Sequence, residues 1–135
     1  MGKIQQGWAG ILVGLLVGVA SPANAVEPSE MLIFFDSGKP ILTRDALETL
    51  AASFREAVPG AKWTLLGHAD RSGPNGANRR IALARAKAVR DYLVQLGADA
   101  AAITIGSSGE DASLVPTGDG VWEPQNRRVE IRIDR

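Results

Sequence analysis

Hydrophobic and polar positions follow two different periods along the chain, and these periods predict strands and helices. The continuous apolar run at residues 31–35 ends at Asp36-Ser37-Gly38, which indicates a buried strand followed by a turn. Thr43 stands where a helix cap is expected. After it, apolar residues recur at three- and four-residue steps until Pro59-Gly60, which predicts one helix with the apolar face Leu47, Leu50, Ala51, Phe54 and Val58.

The rest of the chain repeats the alternation of strand and helix. A second strand is predicted at residues 62–68, and a loop rich in Gly, Asn, Ser and Pro follows it. A long helix then runs from about Asn78 to Leu96, where Gly97 ends it. Residues 103–105 and the alternating residues 129–133 predict the last two strands. The order β-α-β-α-β-β predicts an α+β sandwich with two helices packed on one face of a mixed sheet.

The first 25 residues have the pattern of a secretory signal peptide. Lys3 precedes an uncharged apolar stretch at residues 8–20, and Ala23-Asn24-Ala25 forms a small-residue cleavage site. We therefore predict a signal peptide at residues 1–25 and a periplasmic domain at residues 26–135. The alternative is an uncleaved inner-membrane anchor, although the apolar stretch of about 13 residues is shorter than the roughly 20 that span a bilayer.

Composition excludes several classes of site. Removal of Lys3 with the leader leaves 14 basic residues against 15 acidic ones, so the chain lacks the basic excess typical of nucleic-acid binding. It has no cysteine, which excludes disulfides, zinc-thiolate sites and a lipid-bearing cysteine. With a single histidine, His68, it also lacks a multi-histidine metal site. We expect no metal and no cofactor.

One charged residue does not fit a simple core pattern on the second helix. Arg85 lies four residues after Ile81 and four before Val89, so it projects from the same side as both apolar residues. A buried guanidinium needs an anion, because an unpaired buried charge is costly. Asp70 leaves the second strand just before this helix. The two residues form either a structural ion pair or a site for a zwitterion, with the arginine binding a ligand carboxylate bidentately.

The wider pattern resembles the OmpA-like peptidoglycan-binding domain, a family that includes the Pal lipoproteins and the periplasmic part of MotB. The resemblance covers residues 31–134 and rests on separated blocks at family-like spacing. These blocks are Phe34-Phe35-Asp36-Ser37, Gly67-His68-Ala69-Asp70 with Gly73, Asn78 to Leu93 with Arg85 near its centre, Gly109-Glu110, and Asn126-Arg127-Arg128-Val129-Glu130-Ile131.

The resemblance implies binding of the peptidoglycan stem peptide, typically through meso-diaminopimelate. By position, Asp70 should receive the ligand ammonium and Arg85 its carboxylate. Further contacts, often from backbone, are implied for Gly38, Ser72, Asn78 and Arg127. Gly38 stands where some relatives have Asn, and Asn78 is alternatively a helix N-cap. The protein would then lie in the periplasm, associated with the wall or the outer membrane.

Three functions are compatible with these residues. The first is a binding module without catalysis that supports envelope integrity. The second is a periplasmic scaffold that docks an envelope protein, with wall binding secondary. The third is a hydrolase of wall peptides that uses His68 and Asp70, but the sequence offers it no nucleophile elbow and no metal set. We therefore expect a protein that is not an enzyme.

Overall fold

The computed structural model describes residues 29–109 and 111–134, and it confirms the predicted order of strands and helices. Short 3-10 turns at Ala100–Ala102 and Pro124–Asn126 precede the last two strands. The elements are β1 (Ser29–Phe34), α1 (Arg44–Glu56), β2 (Lys62–His68), α2 (Asn75–Leu96), β3 (Ile103–Gly109) and β4 (Arg128–Asp134).

The sheet is mixed, with its strands in the order β1-β4-β2-β3. The last strand of the chain, β4, lies between β1 and β2 and is antiparallel to both, while β2 and β3 are parallel. Residues Val129, Ile131 and Ile133 of β4 are buried, and Arg132 between them is exposed. This alternation confirms that one face of the sheet is covered.

Both helices contribute to one core on the covered face. The buried residues of α1, Ala46 and Leu50, belong to the same cluster as Val89 and Leu93 of α2. Gly67 of β2 allows α2 to approach the sheet closely, since a Cβ at this position would lie 1.8 Å from the carbonyl oxygen of Ala82. Residues of the strands complete the core. They include Ile33, Trp63, Leu65, Val129 and Ile131.

The helix termini follow local chemistry. The Thr43 side chain accepts a hydrogen bond from the Ala46 N–H at 3.2 Å, which confirms the predicted cap of α1. Gly97 ends α2 with φ 119°, a left-handed conformation that favours glycine. The prediction for the start of α2 is wrong: this helix begins at Asn75, so Asn78 lies within its first turns and is not the N-cap.

Two further boundaries differ from the prediction. Strand β3 continues to Gly109 instead of ending at Ile105, because pairing with β2 extends through residues with small side chains that carry no strand pattern. Val58 lies beyond the last residue of α1 and is 46% exposed, so it is not part of the apolar face of this helix. The helix ends before Val58 because the residue that precedes a proline, here Pro59, disfavours the helical conformation.

The predicted signal peptide, residues 1–25, lies outside the described residues, and its cleavage therefore stays a prediction. None of the helices in the described ranges is both long enough and apolar enough to cross a bilayer.

Candidate functional site

Asp70 follows β2 by two residues and is almost completely buried, with 3% of its surface exposed. Its Oδ1 accepts hydrogen bonds from the backbone N–H of Ser72 at 3.2 Å and from the Ser72 hydroxyl at 2.5 Å. Its Oδ2 accepts from the backbone N–H of Glu123 and from Nη1 of Arg127, each at 3.2 Å. Both carboxylate oxygens are therefore paired by groups from two separate loops.

These hydrogen bonds keep Asp70 ionised in spite of its burial. Burial alone raises the pKa of this carboxyl, but the hydrogen bonds from Ser72, Arg127 and the Glu123 N–H outweigh that effect, so its pKa lies below the ordinary value. The group is thus a buried carboxylate at neutral pH, with a cation already at one of its oxygens.

Arg85 is the largest fully buried side chain among the described residues, with 1% of its surface exposed. Its Nε donates to the carbonyl of Lys39 at 3.2 Å, Nη1 to that of His68 at 3.1 Å, and Nη2 to that of Asp36 at 3.0 Å. The guanidinium carbon lies 5.5 Å from the centre of the Phe35 ring, within the range of a cation-π contact. Three carbonyls and one aromatic ring therefore hold the cation in place.

The structure shows a different pairing from the Asp70–Arg85 ion pair weighed above. Within the part of the chain that is described, Asp70 pairs with Arg127, and the hydrogen bonds of Arg85 go to backbone carbonyls. Burial, together with the nearby charge of Arg127, lowers the pKa of Arg85 to about 10, while the carboxylate of Asp70 acts in the opposite direction. Arg85 is consequently a charged group at neutral pH, and its neighbouring charges belong to Asp70 and Arg127.

The loop between β3 and β4 covers Asp70. Buried Asn126 exchanges hydrogen bonds with both backbone groups of Val115, at 2.8 and 2.7 Å, and so fixes the returning end of the loop. The side chain of Arg71 pairs with Asp119, and the carbonyl of Arg71 accepts from the Gly120 N–H at 2.6 Å. These contacts place Glu123 and Arg127 over the carboxylate.

The other predicted residues divide into two groups. Ser72 and Arg127 contact Asp70 directly, as described above. Gly38 has φ +64° in the turn between the two segments that supply carbonyls to Arg85. Asn78 is buried, and its side-chain amide donates to the Gly73 carbonyl at 2.8 Å. Asn78 therefore fixes the loop that carries Asp70 and Ser72 to the start of α2.

His68 belongs to a separate cluster on the other face of the sheet. Its Nδ1 lies 2.5 Å from the hydroxyl of Ser108, and its Nε2 lies 3.1 Å from Oε2 of Glu130. Burial and the nearby charge of Arg128 lower the pKa of His68, against the opposing effect of Glu130. In the part of the chain that the structure describes, the side-chain neighbours of His68 are Ser108 and Glu130, and not Asp70, which the hydrolase hypothesis pairs with it. No group of three or more metal-ligating side chains occurs in the described residues.

Sequence reasoning missed several residues that build this site. Glu123 contributes through its backbone N–H, for which a sequence contains no signal. Phe35 and Asn126 lie inside the blocks that carry the family resemblance. The contact of Phe35 with Arg85 joins residues that are far apart in sequence, and the contact of Asn126 with Val115 depends on how the loop between β3 and β4 folds. The sequence signal that pointed to this region was the Asn126-Arg127 pair, which directly precedes the central strand β4.

Comparison with known proteins gives a consistent result. The model of the OmpA family matches residues 34–127. An outer membrane protein of Gluconacetobacter diazotrophicus is 38% identical over 108 residues, covering 74% of this chain and 29% of that protein. A peptidoglycan-associated lipoprotein of Brucella melitensis is 32% identical over 123 residues, covering 87% of this chain and 73% of that protein. The chain thus spans less than a third of the first relative and most of the second.

Solved structures support the same fold. The peptidoglycan-associated lipoprotein from Burkholderia pseudomallei matches with a TM-score of 0.69 at 23% identity, over 76% of this chain and 89% of that one. At this identity, the similarity shows a shared arrangement of helices and strands.

Proposed function

This chain belongs to the OmpA family, and we propose that it binds peptidoglycan non-covalently through the diaminopimelate of the stem peptide. The observation that carries the proposal is one buried carboxylate and one buried guanidinium, Asp70 and Arg85, positioned by adjacent elements but held by different partners. An amino-acid end group carries an ammonium and a carboxylate on one carbon. A separated pair of opposite charges matches that zwitterion.

Arg85 retains the donors that a ligand carboxylate needs. A guanidinium has five N–H groups, and three of them serve the carbonyls of Asp36, Lys39 and His68. One N–H on each terminal nitrogen remains, which is the number used in a bidentate contact with a carboxylate. The three carbonyls would hold the guanidinium ready and so reduce the entropy lost on binding.

The ligand would enter by displacing groups that now cover the site. Asp70 and Arg85 are 3% and 1% exposed, so a ligand reaches them only after Arg127 or the segment 36–39 moves. A ligand ammonium would take the place of Arg127 at Oδ2 of Asp70.

The relatives support an envelope location. One relative is called a peptidoglycan-associated lipoprotein and another an outer membrane protein. We propose a periplasmic protein, exported by a cleaved signal peptide and associated with the wall or the outer membrane, that supports envelope integrity. We further propose that it acts without catalysis, so purified protein should leave muropeptides unchanged on long incubation with sacculi.

Sedimentation with purified sacculi tests the binding. Asp70→Asn keeps the shape of the side chain but removes its charge, and Arg85→Lys keeps the charge but loses the planar fork. Each variant should bind sacculi at least about tenfold more weakly, since removing one partner of a buried charge contact costs about 2–5 kcal/mol. Asp91→Asn is the matched control, because it removes an exposed carboxylate of α2 that pairs with Arg90 and takes no part in the candidate site.

Thermal unfolding of the same variants separates a binding defect from a folding defect. Free meso-diaminopimelate should compete with sacculi, and muropeptides amidated at the diaminopimelate carboxylate should bind more weakly. Equal binding by folded Asp70→Asn and the wild type, or equal binding of amidated and unamidated muropeptides, would contradict the proposed recognition.

A further inference from the structure

Strand β1 is an edge strand, and one side of its backbone faces away from the sheet. The Phe35 N–H donates to the Arg127 carbonyl at 2.8 Å, so residue 35 points its backbone groups toward β4. Backbone groups alternate between the two sides of a strand, and the β1–β4 register continues without a shift from Phe34 to Ser29. Leu32 and Phe34 therefore direct their N–H and C=O groups outward, away from β4.

A groove of about 500 Å³ lies along this outer edge. One wall is formed by five consecutive residues of the edge, 32–36, and the opposite wall by the first turns of α1, including Asp45 and Thr49. The 3-10 turn at Pro124 and Gln125 closes one end. The groove thus offers open space beside an edge that presents hydrogen-bonding groups.

The side chains at the groove indicate which chain would fit. Leu32 and Phe34 are 40% and 45% exposed on the uncovered face, next to the strand that would be added. Asp36 and Asp45 are exposed and are the charged residues among those that line the groove. A segment with apolar side chains beside Leu32 and Phe34 and a lysine or arginine at its ends would cover the apolar pair and neutralise the carboxylates.

We infer that the outer edge of β1 binds an extended basic peptide segment of another protein by strand addition. The added strand would form main-chain hydrogen bonds with Leu32 and Phe34, and its apolar side chains would pack beside theirs. Its basic residue would pair with Asp36 or Asp45. Neither Asp70 nor Arg85 lines this groove, although Asp36, whose carbonyl accepts a hydrogen bond from Arg85, belongs to both surfaces.

A second copy of the chain is a poorer occupant of the same edge. A second copy would add its own Asp36 and Asp45, and the residues lining the groove contain no cation to pair with the carboxylates of either copy. Charge complementarity therefore favours a basic partner.

The test uses two capped synthetic peptides, KTVTVTK and its acidic counterpart ETVTVTE. Titrated into the purified protein and followed by heteronuclear NMR, KTVTVTK should shift the amide resonances of Leu32 and Phe34 and leave those of Leu96 and Gly97, at the far end of α2, unchanged. ETVTVTE should bind more weakly. Shifts centred elsewhere, or equal binding of both peptides, would overturn the inference.

Separate N-methylation of the valines and of the threonines tests strand addition. Because alternate N–H groups of the peptide face β1, one of these two modified peptides should lose binding and the other should retain it. Loss in both, or in neither, would contradict main-chain pairing at this edge.

Reversal of one charge tests the electrostatic part. Asp45→Lys should weaken KTVTVTK about two- to fivefold, as expected for one exposed ion pair, and strengthen ETVTVTE. Asp91→Lys, an equivalent change at an exposed position of α2, should alter neither. Concentration-dependent dimerisation that broadens the Leu32 and Phe34 amides without peptide would overturn the inference in favour of a second copy.

Discussion

At the scale of single residues, Arg85 links three segments that are far apart in the sequence. Its guanidinium binds carbonyls of the turn after β1, at Asp36 and Lys39, and of the last residue of β2, His68. Each of these carbonyls would lose a hydrogen bond if the side chain were truncated, and unsatisfied buried polar groups are costly. Arg85 therefore has a structural role in addition to the proposed binding role.

We predict that Arg85→Met lowers the free energy of unfolding by about 3 kcal/mol or more, because apolar replacement removes the three hydrogen bonds that this side chain donates to backbone carbonyls. Arg80→Met, at an exposed position of the same helix, should change it by less than about 0.5 kcal/mol. Urea denaturation measures both. Equal stability of the two variants would show that the carbonyl contacts of Arg85 do not stabilise the fold.

His68 provides a second prediction at this scale, because it is the one histidine of the chain. Its pKa in the folded state is lowered from 6.5 by burial and by Arg128. Between the folded pKa and 6.5, the unfolded chain binds a proton that the folded chain does not, so stability decreases as the pH falls through this window. This pH dependence of stability is the one expected for a histidine that the fold keeps neutral.

Replacement by a neutral residue should remove this dependence. We expect wild-type protein to lose stability between pH 7.5 and pH 5.5. The full loss, reached below the folded-state pKa of His68, is about 1 kcal/mol for each unit by which that pKa is lowered. His68→Gln should show a flatter profile in denaturant titrations at the same pH values. Identical slopes for the two proteins would mean that His68 keeps its ordinary pKa in the fold.

At the scale of the elements, the spacing between α2 and the sheet depends on a residue without a side chain. A Cβ at Gly67 would lie 1.8 Å from the Ala82 carbonyl oxygen, which belongs to the backbone of α2 and cannot turn away. The same helix carries Arg85, one turn further along. A shift of α2 would therefore move the guanidinium away from the carbonyls that hold it.

We predict that Gly67→Ala destabilises the protein by about 3 kcal/mol or more. The added methyl group would collide with the backbone of α2, and only a movement of the whole helix would relieve this collision. Gly106→Ala on the neighbouring strand is the control, since its Cβ would lie 3.4 Å from a movable side-chain atom, Cδ1 of Leu66. Thermal unfolding should rank Gly67→Ala clearly below Gly106→Ala and the wild type. A similar melting temperature for both variants would contradict the close approach.

The N-terminus of α1 allows a smaller element-level prediction. Thr43 accepts a hydrogen bond from the Ala46 N–H, so Thr43→Ala should lower stability by about 1 kcal/mol. Thr43→Ser keeps the hydroxyl and should remain close to the wild type. Comparison of both variants by urea denaturation distinguishes the cap from the loss of the methyl group.

At the scale of the whole molecule, the two faces of the sheet have different roles. The helices cover one face and build the core, and the uncovered face carries the cluster of His68, Arg128 and Glu130 together with exposed Leu32 and Phe34. Asp70 and Arg85 lie at one end of the sheet, where the turn after β1, the loop after β2 and the loop before β4 meet. The candidate site is thus a product of three loops on one rigid support.

Export belongs to the same scale. Because Ala23-Asn24-Ala25 has the pattern of a cleavage site, we predict that the mature protein begins at Val26, four residues before the exposed edge residue Glu30. N-terminal sequencing of the protein recovered from the periplasm tests this. An intact Met1 in the membrane fraction would support the alternative of an uncleaved anchor.

The sequence by itself determined the order of the elements and part of the covered face, including Leu50 and Val89. Apolar periodicity separates strands from helices because a strand repeats every two residues and a helix every 3.6. Local chemistry at Thr43 and Gly97 identified two helix ends correctly. The same periodicity placed Arg85 on the buried side of α2, and short-range patterns joined Asp70 to the exit of β2. The family resemblance then indicated which charged residues to examine.

Only the tertiary structure decided how these charges are paired. Asp70 pairs with Arg127 and not with Arg85, because the loop before β4 folds back across 57 positions of the sequence. The cation of Arg85 is held by backbone carbonyls, and neither a carbonyl nor the Glu123 N–H differs from one residue type to another. A side-chain sequence does not record such contacts, so the partners of a buried charge follow from the path of the backbone through space.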